Sequence, residues 1–386
     1  AEWRFARDYR IGKRSHTLAA GLRAYSGSTE RRQLGIGDSG ESYGLDIESL
    51  NNGKEWGRDL EFGTQNAAVF LENLFRLGSH FQLTPGMRYE YVKSTANGYI
   101  NTSAQGGISS QSQSRNILLF GLGAEYHLPL NTELYANFSQ AYRPVTYSEL
   151  TPSAVSDQID PDLEDAKGFN IDLGYRGRIG EYLNFDIGAF YLFYDGRIGS
   201  ILKDSAVFRT NIGTSVSKGF EGFVEFHPVR LWMPDSRWGF INLFVNYSYI
   251  DARYTKWDDP AQLSNPSKTL VNKRVEYAPR MILRCGINYR IQKLSISAQL
   301  NAVGETYADA LNTESPNTAA TIGKLDPYQV LDLNLSFSFR KHYQLKAGIN
   351  NLLDERYATR RAGGYPGPGL MPANGRTSFV SLGVSF

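Results

Sequence analysis

Residues 331–339 read LDLNLSFSF: Leu331, Leu333, Leu335, Phe337 and Phe339 alternate with Asp332, Asn334, Ser336 and Ser338. A side-chain period of two belongs to a strand with one apolar and one polar face. The pattern recurs outward from this point. In 183–193 (LNFDIGAFYLF), Leu183, Phe185, Ile187, Ala189, Tyr191 and Phe193 share one face. Ile241 to Tyr249 and Leu294 to Leu300 repeat it. No comparable helical period is present. The nearest, Ala67 to Leu77, places Phe70 and Phe75 at a spacing that also suits a strand.

The connections differ in kind. Short turns fall near 10–15, 77–80, 127–132, 178–181, 290–293 and 340–342, and a somewhat longer one spans 228–237. Between them lie polar stretches rich in Gly, Ser, Asn, Asp and Pro, near 26–65, 93–114, 143–164, 196–216, 252–274, 305–327 and 352–375. Seven hairpins and a terminal segment make about 15 strands with short turns at one end and long loops at the other. That asymmetry predicts an all-β fold, a transmembrane antiparallel β-barrel of the bacterial outer membrane. A propeller would instead show a regular blade repeat.

Composition agrees. The 386 residues include 38 Gly, 24 Tyr and 21 Phe, which favour strands and turns over helices. Lys plus Arg number 41 against 39 Asp plus Glu, a net charge of +2. No basic surplus suggests nucleic acid as a partner. The single cysteine, Cys285, rules out a disulfide within the chain and a Cys-rich zinc site. It is in phase with Leu283 and Ile287, on the apolar face. No nucleophile elbow, HExxH helix or phosphate-binding loop appears, so no enzyme is expected and no cofactor or metal site is assigned. The five histidines, His16, His80, His127, His227 and His342, fall at or beside short turns and are expected to be solvated. The final strand, 377–386 (TSFVSLGVSF), ends on Phe386 and resembles the assembly signal of outer-membrane barrels.

Four segments carry a family resemblance: 348–357 (GINNLLDERY), 131–144 (NTELYANFSQAYRP), 163–174 (LEDAKGFNIDLG) and 210–222 (TNIGTSVSKGFEG). Taken along the chain, they resemble strand and loop elements of TonB-dependent outer-membrane receptors. Asn170 and Asp172 depart from the usual residues of the third. Residues 307–315, 321–328 and 357–364 are most similar to ferric citrate receptors of the FecA type. The resemblance implies a 22-stranded barrel around a plug. Counting back from the last strand, residues 1–386 would be the C-terminal portion of that barrel, strands 8–22. The plug and first strands would be absent from this chain.

The implied function is binding and import of an iron chelate, ferric citrate or a similar siderophore. The implied partners are the TonB–ExbB–ExbD energy complex, acting through the plug, and outer-membrane lipid and lipopolysaccharide. An iron–citrate complex is anionic, and arginine forks match carboxylates. The candidate ligand residues are therefore Arg58, Arg143, Arg360 and Arg361, with Gln158 and Asn374 as neutral donors. Arg31, Arg32, Arg197, Arg209 and Arg376 are further loop cations. A cobalamin or saccharide receptor would lean instead on Trp56, Tyr99, Tyr147, Trp257 and Tyr365. A non-transport barrel, adhesive or structural, is the remaining alternative.

Overall fold

The computed structural model of the chain describes residues 1–33, 58–100, 111–146, 149, 158–203, 206–235, 237–259, 265, 268–340, 342–363 and 368–385. Its strands are β1 (Glu2–Ile11), β2 (Arg14–Gln33), β3 (Arg58–Leu77), β4 (Phe81–Ile100), β5 (Gln111–Leu128), β6 (Thr132–Arg143), β7 (Gln158–Ile159), β8 (Ala166–Ile179), β9 (Leu183–Lys203) and β10 (Ala206–Phe226). They continue as β11 (Phe240–Trp257), β12 (Met281–Ile291), β13 (Leu294–Val303), β14 (Thr306–Tyr307), β15 (Lys324–Leu325), β16 (Tyr328–Phe339), β17 (Tyr343–Asn350), β18 (Ala358–Ala362), β19 (Gly369–Pro372) and β20 (Thr377–Val384).

One 16-stranded sheet holds the long strands in chain order, each antiparallel to the next, with β7 attached beside β10. The pairs β14–β15 and β18–β19 form two small separate sheets within loops. Among the described residues β1 and β20 each pair on one side only. The region Ala67–Leu77 is strand, within β3. Gly12, Gly78 and Gly180 take positive φ in three of the short turns, a conformation that costs glycine nothing.

The two faces separate as the alternation requires. Leu118, Phe120 and Leu122 stand exposed on the outer face of β5, and Leu173 on β8 is 56% exposed. Register carries the row from strand to strand: Leu122 lies opposite Phe138, and Val245 opposite Cys285, which lies opposite Leu300. The inner face is polar and cross-linked. Tyr135 donates to Asp186 at 2.9 Å, and Arg88 pairs with Glu90 at 2.8 Å. The Tyr135 ring lies across Gly174, where a Cβ would meet it at 2.3 Å. Glycine there lets an aromatic ring lie flat on the wall.

Hydrocarbon is crossed in about 9–11 tilted residues, yet β2, β3 and β4 have 20 each and β9 and β10 have 21. The short turns fix one end, so the excess projects beyond the other membrane surface. This corrects the reading of 196–216 as a long polar connection. Most of it is the top of the β9–β10 hairpin, with Thr210 paired to Gly199. Above the bilayer both faces meet water, so the alternation disappears while the backbone ladder continues.

Two histidines are not solvated. His16 is 4% exposed and accepts the Arg76 main-chain N–H, between the rings of Tyr9 and Phe75. His227 packs its ring 4.7 Å from that of Phe240. Phe386 lies outside the described residues.

A charge on the outer row meets lipid, so Leu122→Arg should destabilise the folded barrel by about 2–4 kcal/mol. Urea titration in phospholipid vesicles measures this. A shift below about 0.5 kcal/mol would mean that this face does not meet hydrocarbon.

Candidate functional site

The mouth opposite the short turns carries the site. Residues 144–146 and 158–165, beyond β6, fold against the inner wall. Val145 and Leu163 join Leu60, Phe62 and Ala96 in a buried apolar cluster, with Ile159 and Ile198 packed beside it. Leu60 and Phe62 continue the inward-facing parity of Glu72 on β3, so the cluster lies inside the mouth. Arg115 fastens the segment. Its guanidinium meets Asp165 at 2.6 Å, with both side chains about nine-tenths buried, and also reaches Ser94 and Gln113. Asp165 in turn accepts the Val145 N–H at 2.9 Å.

Beside this cluster is a cavity of about 350 Å³ lined by Tyr142, Arg143, Asn170, Tyr194, Arg197 and Ser215, among others. Both arginines in its wall have carboxylate partners. Arg143 donates to Glu149 at 2.7 Å, and Glu149 also accepts the N–H and hydroxyl of Thr146, each at 2.8 Å. Burial is the largest influence on Glu149 and opposes its charge. Arg143 and Thr146 together outweigh it and hold the carboxyl below its ordinary range. Arg197 meets Glu276 at 2.9 Å and lies over the ring of Tyr254, whose hydroxyl donates to the same carboxylate at 2.6 Å. Burial first, and then Glu276, raise the pKa of Tyr254. The wall thus offers tyrosine hydroxyls and arginine N–H groups not all spent on their partners. This arrangement can bind; it holds no nucleophile–base pair.

The other expected residues are dispersed. Arg58, at the tip of β3, has a buried Nε without a hydrogen-bond partner. Burial, and then the neighbouring Arg31, depress its pKa. Gln158 is exposed on β7 beside Phe208. Arg360 is exposed on β18 opposite Met371. Arg361, its neighbour, turns into the protein and donates to the carbonyls of Ala320 and Lys324 at 3.1 and 3.0 Å. Asn374 contributes its main-chain carbonyl to the Asn351 side chain. Of the six, Arg143 alone lines the cavity. Trp257 packs edge-on against Tyr254. Trp56, Tyr147 and Tyr365 lie outside the described residues.

Sequence reading missed the network that joins the loops. Arg274, 7% exposed, donates to the carbonyls of Ala278 and Glu305, while Asn312 bridges both main-chain groups of Arg274. The Tyr277 hydroxyl exchanges hydrogen bonds with the Arg361 main chain. Loops 258–280, 304–327 and 351–376 are therefore bonded to one another. The motif at 348–357 is a turn: Asn351, 3% exposed, binds main-chain groups of Glu355 and Asn374, and Asp354 accepts the Arg376 N–H. No single residue type announces such a network, because most of its bonds have a main-chain group on one side.

Among the described residues one group has metal-ligand spacing: Glu125, His127 and Glu133, within 4.8 Å of one another near a short turn. Arg176 pairs with both carboxylates, so a cation already occupies that place.

A family model described as "TonB dependent receptor-like, beta-barrel" matches residues 2–352. The ferric aerobactin receptor of Klebsiella pneumoniae is 25% identical over 388 residues, covering 87% of this chain and 46% of that protein. Among solved structures, the ferric citrate transporter FecA in its unliganded form superposes with a TM-score of 0.81 at 20% identity, covering 99% of this chain and 53% of the other. The ferric-catecholate import receptor Fiu of E. coli gives 0.76 at 15%, covering 100% and 54%. The chain spans about half the length of the proteins it matches.

Two outcomes test the geometry. Arg361→Ala removes two charge-assisted bonds of about 1.5–3 kcal/mol each. Amide exchange in 305–327, a different loop, should then accelerate at least about tenfold, whereas Arg360→Ala leaves it unchanged. For Glu149 the pKa is depressed by folding. Its restraint on the 146–149 turn is complete above the unfolded carboxylate value of about 4.3 and is lost as pH falls through the lower folded value. Limited proteolysis beside Glu149 should increase on that acidification, and Glu149→Gln should abolish the pH dependence.

Proposed function

The chain belongs to the TonB-dependent receptor-like β-barrel family, and on that premise we propose that it is the barrel portion of an outer-membrane receptor that binds and imports an iron chelate in a TonB-dependent manner. Family members are β-barrel proteins of the outer membrane. The relatives are receptors for ferric aerobactin, ferric citrate and a ferric catecholate, which supports iron-chelate import over other solutes. The observation that carries the reading is the cavity at the mouth, where Arg143 and Arg197 stand beside Tyr142 and Tyr194.

Transport of this kind needs capture without covalent chemistry. A chelate entering from outside meets the mouth first. Arg143 and Arg197 are held in place by Glu149 and Glu276 and keep further N–H donors for a carboxylate or other chelate oxygen. Arg58, with an unsatisfied donor and Arg31 close by, favours an anion at the rim. Arg360, exposed on its hairpin, adds a cation above, and Gln158 and Asn374 are the proposed neutral contacts. Arg361 contributes by holding the last loop in position. Ferric citrate, or a similar siderophore, fits a site of this charge. Release inward then requires the plug and the TonB–ExbB–ExbD complex.

Equilibrium binding of Fe(III)-citrate to the complete receptor tests this. Replacing Arg58, Arg143 and Arg360 together by alanine should weaken binding about a hundredfold or more, at about 1.5 kcal/mol per charged contact. Retention of affinity within about threefold, with the barrel still assembled, would remove the anionic chelate as ligand.

A further inference from the structure

The connection between β10 and β11 is longer than the other short turns. It holds a short α-helix, Pro228–Trp232, with Pro at its start. Val229 alone in that helix is buried. Large apolar residues of this turn are exposed: Leu231 is 39% exposed, Trp232 68%, Met233 49% and Trp238 75%. Exposed tryptophans on one turn mark an interaction surface.

Both legs of the turn join the lipid-facing rows of the barrel. Phe226 continues the outward parity of Phe220 on β10, and Trp232 packs edge-on against it at 5.7 Å. On the far leg Tyr289, in the outward row of Cys285 and Ile287, donates to the Trp238 carbonyl at 3.0 Å. The underside is fastened to the barrel. Arg230 pairs with Glu181 of the adjacent turn at 2.8 Å and lies 5.7 Å from the Phe240 ring centre, and the His227 N–H donates to Tyr182. The turn is therefore held, with its apolar side continuous with the hydrocarbon-facing surface. Arg237 is exposed on the same segment.

We propose that Leu231, Trp232, Met233, Arg237 and Trp238 form an interfacial foot that seats in the headgroup layer of the periplasmic leaflet, its occupant being phospholipid. Tryptophan suits that depth, because its ring is apolar and its N–H needs a polar partner. Leu231 and Met233 would enter the upper acyl region, and Arg237 would face lipid phosphate. Continuity with the outward rows at Phe226 and Tyr289 favours lipid over a water-borne partner. The proposal does not depend on which solute the barrel carries.

The test uses the complete receptor in vesicles of phosphatidylethanolamine and phosphatidylglycerol, with Cys285→Ser and a nitroxide attached at Met233→Cys. Collision rates with oxygen and with a water-soluble nickel chelate report depth. Oxygen should dominate, as at a control label on Leu122→Cys, whereas a label on His342→Cys should favour nickel. Preference for nickel at position 233 would overturn the proposal. So would exclusion of both reagents, which would mean that a protein surface covers the turn. If the labelled variant does not assemble, quenching by brominated phospholipid decides in Trp232→Phe and Trp238→Phe. Each substitution must remove a quenchable component of the fluorescence, and loss of none would overturn the foot.

Discussion

A backbone amide in hydrocarbon has no water to bond. Every N–H and C=O within the bilayer must find a partner in the protein, and a sheet meets that demand only through neighbours on both sides of each strand. The constraint fixes a sheet of sequential antiparallel strands and leaves side chains just two environments. Outward positions meet acyl chains and inward positions meet a polar interior. The alternation in 331–339, the apolar row through Leu122 and Phe138, and the bonded polar wall of Tyr135 and Asp186 all follow from it.

The same constraint explains what could be read from the sequence. Where both environments are present, polarity reports the strand, and the alternation of 331–339 was plain. Beyond the membrane both faces meet water and the report stops. The tops of β9 and β10 therefore read as loop, although they pair from Lys203 down to Leu183, with two register shifts between Asn211 and Ser215. His16 misread for a related reason. A turn position implies solvent, but Tyr9 and Phe75 close over the ring from two other strands.

The mouth was legible in kind but not in arrangement. Arginines in polar loops suggest anion binding, yet sequence cannot distinguish a guanidinium facing a ligand from one bound to neighbouring carbonyls. Arg360 and Arg361 are adjacent in sequence; one is exposed and the other clasps Ala320 and Lys324. Tyr254, 1% exposed, and its partner Glu276 gave no local signal, because their meeting depends on how the loop that follows β11 folds back along that strand. Nor does sequence show that Glu149 and Glu276 hold the two cavity arginines.

The bonds among the three loops bear on how such a receptor acquires new specificity. A loop that stood alone could be exchanged between relatives like a cartridge. Here, substituting the last loop removes Arg361 from carbonyls in its neighbour and Tyr277 from its contact two hairpins away. Loops 258–280, 304–327 and 351–376 thus form one heritable unit, and chimaeras that respect its borders will preserve a shape that single-loop grafts lose.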